Sequence, residues 1–271
     1  VPGVAPDLIR GKAGFSYHIA PSLGRFYETG LNTHEGNFLA MKGASKNRGL
    51  GGLASRRRAA VRVKKTRQLT VSSKKWLERQ LNDPYVAAAK EDGYRSRAAY
   101  KLLQLNEQFH LLRGGLRVVD LGAAPGGWSQ VAAAIIGENS KLVALDILPM
   151  EPIKGVEILH MDFLAADAPD RLRAALHGDA DLVLSDLAPS TTGHAGTDHI
   201  RIMALAESAA QFATEVLAPG GAFVCKLFQG GAEKELLDML KKSFAKVKHA
   251  KPPASRADSS ESYLVAQGFK K

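Results

Sequence analysis

The 271-residue sequence predicts an α/β fold, with a largely parallel sheet covered by helices on both faces. Short apolar runs of strand length alternate with segments of helical composition over most of the chain, which is the pattern of linked β-α-β units. One junction is more specific: residues 116–121, 122–127 and 130–136 read in turn as a buried strand, a glycine loop and a helix. Three runs also finish on an acid, at Asp146, Asp162 and Asp186. The carboxyl edge of such a sheet is where open α/β folds bind their ligands.

In chain order, residues 1–40 show neither helical nor strand period, and Pro, Gly, His and Asn are scattered through them. The chain begins with Val1, and synthesis of the working protein is expected to start at Met41 or nearby. The net charge of +10 is unevenly placed, because residues 1–70 hold 13 Lys/Arg against 3 Asp/Glu while the rest holds 24 of each. Residues 46–67 contain nine basic side chains and no acid. That is the footprint of an arm that neutralises phosphates, against the plainer alternative of a solvated tail. Residues 1–71 are therefore expected to be a poorly ordered basic N-terminal extension, and 72–271 the folded domain. No apolar run approaches the length of a membrane span. Cys225 is the single cysteine, so no internal disulfide can form; this fits a reducing, cytoplasmic location.

Structure is expected to begin near Ser72, with Ser72 or Ser73 capping a helix over 74–81. Asn82-Asp83-Pro84 breaks it, and Pro84 suits the first turn of a helix over 84–91. Ser96 is expected to cap a helix over 97–109 whose buried face is Ala98, Leu102, Leu105 and Phe109. Strands follow at 116–121, 141–146, 156–161, 182–185 and 222–227, with helices over 169–177, 200–217 and 233–244. A weak strand at 245–249 and a closing strand at 262–267 complete the sheet. There is no internal repeat and no second core.

The glycine loop narrows the ligand. A dinucleotide fingerprint wants G-x-G-x-x-G, but here Ala124 and Pro125 interrupt it, and Pro125 has no N–H to offer a pyrophosphate. Asp120 stands just before the first glycine, where a negative group suits an amine or a sulfonium. Asp146 ends the next strand at the distance where an acid captures ribose hydroxyls. Together these features point to S-adenosylmethionine. Trp128 has two readings, as core or as a wall of the adenosine pocket. With one cysteine and no ligand spacing around His194 and His199, no metal is expected.

Four more polar residues need one explanation: Lys101, Asp186, Lys226 and Glu261. Each has an ordinary reading alone. Lys101 can be the polar face of its helix, Asp186 a turn residue, and Lys226 a strand lysine reaching for solvent. Their motifs in order are Arg-Ser-Arg-Ala-Ala-Tyr-Lys (95–101), Asp-Leu-Gly-Ala-Ala-Pro-Gly-Gly-Trp-Ser-Gln (120–130), Leu-Asp-Ile-Leu-Pro-Met (145–150), Ser-Asp-Leu-Ala-Pro-Ser (185–190), Lys-Leu-Phe-Gln-Gly (226–230) and Ser-Glu-Ser-Tyr-Leu-Val-Ala (260–266). This series, from about residue 72 to the end, resembles the FtsJ/RrmJ ribose 2′-O-methyltransferases.

The resemblance implies the Rossmann-like S-adenosylmethionine-dependent methyltransferase fold, seven strands with the last antiparallel. It implies a catalytic tetrad at Lys101, Asp186, Lys226 and Glu261, and cofactor contacts at Gly126, Trp128, Asp146, Asp162 and Asp186. The implied partner is ribosomal RNA within the large subunit, at a uridine ribose; the enzyme is expected to act as a monomer without membrane or metal. The chemistry suits these residues. An amine removes a hydroxyl proton only when neutral, and burial beside a second cation favours that form. Arg95, Arg97 and Arg201 are candidate phosphate contacts, against a reading as solvated surface.

Overall fold

The computed structural model describes Arg62 and residues 71–189, 193–228 and 234–271. The expected basic extension, the Met41 start and the arm over 46–67 lie outside these residues, Arg62 and Val71 apart. Three helices come first, α1 (Val71–Leu81), α2 (Pro84–Glu91) and α3 (Ala98–Phe109). Then follow β1 (Arg117–Leu121), α4 (Gly127–Ile136), β2 (Lys141–Asp146), β3 (Val156–His160), α5 (Ala168–Leu176) and β4 (Ala180–Ser185). The chain closes with α6 (Ala195–Val216), β5 (Leu217–Phe228), α7 (Lys234–Ser243), β6 (Phe244–Ala250) and β7 (Glu261–Phe269).

The strands form one seven-stranded sheet in the order β3-β2-β1-β4-β5-β7-β6. Neighbours from β3 through β5 pair in parallel, while β7 runs antiparallel to both β5 and β6. The chain therefore reverses direction across the sheet between β2 and β4, on either side of β1. This is the switch point at which such sheets open a crevice at their carboxyl edge.

Strand alternation explains why both faces are apolar. Val118, Leu142, Leu182, Leu184, Val224, Tyr263 and Val265 point to one side and pack with Leu102 and Leu105 of α3 and Val131 and Ile136 of α4. Val119, Val143, Val183, Phe223, Leu264 and Ala266 point to the other, against Leu172 of α5, Met203 and Phe212 of α6 and Leu236 of α7. Tyr85, Ala88 and Ala89 of α2 make a smaller cluster with Tyr100 and Ala254. Among the described residues no helix is long and apolar enough to cross a membrane.

Several helix starts differ from the sequence reading. Helix α1 already begins at Val71, so Ser72 and Ser73 lie within it rather than capping it. The cap of α2 is Asp83, whose side chain accepts from the Tyr85 N–H at 3.0 Å, with Pro84 in the first turn. Ser96 does not cap α3; the preceding position is Arg97, without a side-chain cap, and Ser96 Oγ is buried without a hydrogen-bond partner. Helix α4 starts at Gly127, three residues early, because Gly126 turns the chain with φ 107° and lets the helix follow at once. Helix α6 likewise begins at Ala195, with Asp198 in its first turn, where a carboxylate favours the helix dipole.

Candidate active site

The loop between β1 and α4 lies at the carboxyl edge and is held from three sides. Gly122 (φ 75°) sits so close to the segment after β4 that a Cβ there would lie 2.8 Å from the Leu187 nitrogen and 2.9 Å from its Cα. Asp146, ending β2, accepts from the Ala124 N–H and the Leu148 N–H, each at 2.8 Å. Arg95 donates to the carbonyls of Pro125 (3.2 Å), Glu151 (2.7 Å) and Pro152 (2.8 Å), tying the loop to the segment after β2. Asp162, just past β3, turns its own segment by accepting from the Leu164 N–H at 2.9 Å. Between this loop and the start of α3 is a cavity of about 150 Å³ whose walls include Ser96, Gly122, Trp128 and Asp186.

Trp128 is 2% exposed, donates its indole N–H to the Ala98 carbonyl at 2.8 Å and stacks obliquely on Tyr263 with centroids 5.6 Å apart. It is thus a packed core residue, in line with the first of the two readings, and it also forms part of the cavity wall. Arg95 and Arg97, candidate phosphate contacts from sequence, are instead engaged within the fold. Arg97 bonds Asp83 and the Ala254 carbonyl, tying α3 to α2 and to the β6–β7 connection. Arg201 lies half-buried on α6.

Asp120 is fully buried; one carboxylate oxygen accepts from Ser129 Oγ at 2.6 Å and the other has no hydrogen-bond partner. Burial pushes its carboxyl up to about 7, with the nearby Asp186 and Asp146 charges adding to the effect and the Ser129 bond opposing it. In the unfolded chain an aspartate ionises near ~3.9. Below that pH Asp120 is protonated in both states. As pH rises towards 7 the unfolded chain releases a proton that the folded chain keeps, so stability falls across that window. Asp120→Asn, which still accepts from Ser129, is expected to flatten this slope; thermal unfolding of both proteins from pH 4 to 8 checks it.

The four polar residues meet on the α3 side of the sheet. Asp186 continues the β4 alternation of Leu182 and Leu184, and Lys226 continues that of Val224, so both point to that side. The antiparallel register sets Lys226 opposite Tyr263, and Glu261 lies two residues before Tyr263 on the same face. Lys101 arrives from α3. Lys226 Nζ lies 3.0 Å from Asp186 Oδ1 and donates to the Asp186 carbonyl at 2.6 Å. Lys101 Nζ lies 2.7 Å and 2.9 Å from the two Glu261 oxygens. Lys226 is only 8% exposed, so it does not reach for solvent.

Tyr263, which the sequence reading did not single out, joins the two ion pairs. Its hydroxyl is 3.0 Å from Asp186 Oδ1 and 3.2 Å from Glu261 Oε1, and Lys101 Nζ sits 5.8 Å from its ring centroid. Burial, then the two carboxylates, hold the phenol well above its usual range, so it stays a donor. Ser255 Oγ completes the ring by donating to Glu261 Oε1 at 2.8 Å. Burial acts to raise Asp186, but the Lys226 and Lys101 ammoniums outweigh it, and the carboxyl is held below the usual range as an anion. The period of two in Glu261-Ser262-Tyr263 was the signal that placed Tyr263 beside Glu261. Tyr263→Phe keeps the ring packing and removes one bridging hydrogen bond worth about 0.5–1.5 kcal/mol. Its expected result is turnover lowered by roughly 3- to 10-fold with folding retained, read by steady-state assay alongside thermal unfolding.

A parallel sheet with one antiparallel strand, a glycine loop at its switch point and a lysine–carboxylate cluster beside that loop define a methyltransferase. The profile of the FtsJ-like methyltransferases matches residues 94–269, and the chain belongs to that family. It is 57% identical over 234 residues to the ribosomal RNA large subunit methyltransferase E of Paramagnetospirillum magneticum, covering 84% of this chain and 96% of that protein. It is 60% identical over 213 residues to the protein of the same name from Azorhizobium caulinodans, covering 78% and 89% respectively. Among solved structures, a Plasmodium falciparum chain described as a ribosomal RNA methyltransferase superposes with a TM-score of 0.58 at 28% identity, covering 65% of this chain and 98% of that one.

Proposed function

We propose that this enzyme transfers a methyl group from S-adenosylmethionine to the 2′-hydroxyl of a uridine ribose in large-subunit ribosomal RNA, acting in the cytoplasm. The observation that carries the reading is the meeting of Lys101, Asp186, Lys226 and Glu261 on one face beside the glycine loop. The name borne by the relatives supports the choice of RNA.

The residues fit the cofactor. Gly122 and Gly126 leave the loop clear of side chains where a Cβ would collide. Ser96 Oγ, buried without a protein partner at the cavity wall, is free to bond a ligand. Asp146 would take ribose hydroxyls, Asp162 and Gly126 would contribute contacts at the same edge, and Trp128 would back the pocket. When bound, the sulfonium supplies a methyl group already activated towards a nucleophile.

The protein then has to hold the hydroxyl in line and take its proton. Lys226 accepts that proton once its ammonium has given up one of its own. Asp186, an anion, stabilises a cation at its side, whether ammonium or sulfonium. Glu261 and Lys101 orient each other and the ribose, and Tyr263 fixes the spacing between the two carboxylates. The test is to offer methyl-labelled donor with large ribosomal subunits, free large-subunit RNA and transfer RNA. Label in large-subunit RNA is the expected result; label in transfer RNA alone would overturn the substrate assignment.

A further inference from the structure

We propose that lysines at the β6 edge of the sheet form a second contact for the phosphate backbone of the RNA, apart from the site that holds the target ribose. The inference rests on the RNA reading above and assigns that RNA a surface. Although residues 71–271 are neutral as a whole, residues 241–251 contain five lysines and no acid. Among the described residues, strand β6 pairs with β7 alone and has no neighbour on its other edge.

Lys246 and Lys248 are exposed on this strand, and Lys241 and Lys242 are exposed in the last turn of α7 just before it. Lys270 is brought alongside by its N–H bond to the Ser243 carbonyl at 2.8 Å. Among the described residues none of these five makes an ion pair. Their neighbours behave differently: Lys251 donates to the carbonyls of Ala257 and Ser259, and Lys271 pairs with Asp179.

Two ordinary explanations fall short. Basic residues in the last turn of a helix suit its dipole, which accounts for Lys241 and Lys242 but not for the strand. Charges on an edge strand, lysine above all, prevent edge-to-edge pairing, which accounts for charge on β6 but not for a cluster that also takes in Lys241, Lys242 and Lys270. The opposite edge, at β3, is guarded by mixed charge: residues 151–162 hold three acids and one lysine, and Glu157 is paired with Lys141 at 2.6 Å. Of the two sheet edges, as the described residues show them, the β6 edge is the one with positive charge that no ion pair offsets.

Its direction is also informative. Lys246 and Lys248 lie opposite Gln267 and Val265, residues on the α3 side of the sheet where Lys226 and Glu261 point. Val265 is four residues from Glu261, or roughly 13 Å at ~3.3 Å per residue. Lys246 and Lys248 thus lead away from the site on the sheet face that carries Lys226 and Glu261, with Lys241, Lys242 and Lys270 at the far end of the strand, a separation that a structured RNA spans and a lone nucleotide does not.

The experiment compares the full-length protein with a variant carrying Lys241→Gln, Lys242→Gln, Lys246→Gln and Lys248→Gln, and with the matching Lys→Arg set. Binding to deproteinised large-subunit RNA is measured against salt. Each phosphate neutralised contributes about 0.7–0.9 to the slope of log K on log salt, so the Gln set should lose roughly 3 in slope. The Arg set should keep it, and methyl transfer at saturating RNA should be unchanged in all three. An unchanged slope in the Gln set overturns the proposal, and self-association of that variant with an unchanged slope would mark the lysines as edge protection alone. A parent protein that methylates no RNA would instead overturn the proposed function, so the two failures are distinguishable.

Discussion

Lys226→Ala is expected to lower methyl transfer by about 10²–10⁴-fold, the range that a positioned general base contributes, while leaving S-adenosylmethionine binding near normal. The side chain sits on β5 with Asp186 on one side and Tyr263 opposite, and it lies outside the loop that Asp146 and Arg95 hold in place. Lys226→Arg separates the base from a mere counter-ion. A guanidinium can keep the ion pair with Asp186 but cannot lose a proton near neutral pH. Both variants should therefore be slow. Recovery of activity in Lys226→Arg, with single-turnover kinetics at saturating RNA as the readout, would make charge alone the contribution of this residue.

Gly122→Ala is expected to weaken S-adenosylmethionine binding by about 100-fold. A residue with a Cβ at φ 75° carries a strain of roughly 1–2 kcal/mol, itself worth close to tenfold. The larger effect is steric, because the atoms it would meet are the Leu187 backbone, part of the segment that carries Asp186, and not a side chain that can swing aside. Relief requires the loop and the Asp186 segment to separate, which widens the cavity they share. Gly126 offers a contrast in contacts: a Cβ there shares the backbone strain, at φ 107°, but would meet the ends of the Ile153, Arg95 and Met150 side chains instead of backbone. Calorimetric titration with S-adenosylmethionine should rank Gly122→Ala well below Gly126→Ala, and equal affinities would show that the close approach to Leu187 is dispensable.

The fold was legible because its signals are local. Each strand from β1 to β4 is a short apolar run, and the runs of β2, β3 and β4 end at an acid, so their starts and ends fall within a few residues of the reading. Helix starts were less legible. Ser72, Ser73 and Ser96 all look like caps, yet α1 begins earlier and Ser96 turns into the cavity wall, where tertiary packing outweighs the local preference. Strand β5 extends back to Leu217 through Pro219 and Gly220, residues that in sequence mark a turn, because β4 offers it a pairing edge with a shifted register.

Within the site, the lysines and carboxylates were visible only as scattered motifs. Their gathering depends on long-range register, above all the pairing of Lys226 with Tyr263, which no local pattern encodes. Arg95 and Arg97 read in sequence as candidate phosphate contacts; what the sequence does not show is that their terminal nitrogens bond backbone carbonyls and Asp83 within the fold, while Arg97 Nε is left without a partner. Asp120 was visible as a carboxylate at a strand end; that it is fully buried and raised to about 7 depends on the depth of β1 in the sheet.

Alkaline hydrolysis of RNA labelled by the protein from a methyl-labelled donor tests the central chemistry most directly, because a 2′-O-methyl group removes the hydroxyl that base-catalysed cleavage requires. The account predicts label in an alkali-resistant dinucleotide with uridine on the 5′ side. Label released as an ordinary mononucleotide, with the methyl group on a base, would contradict it.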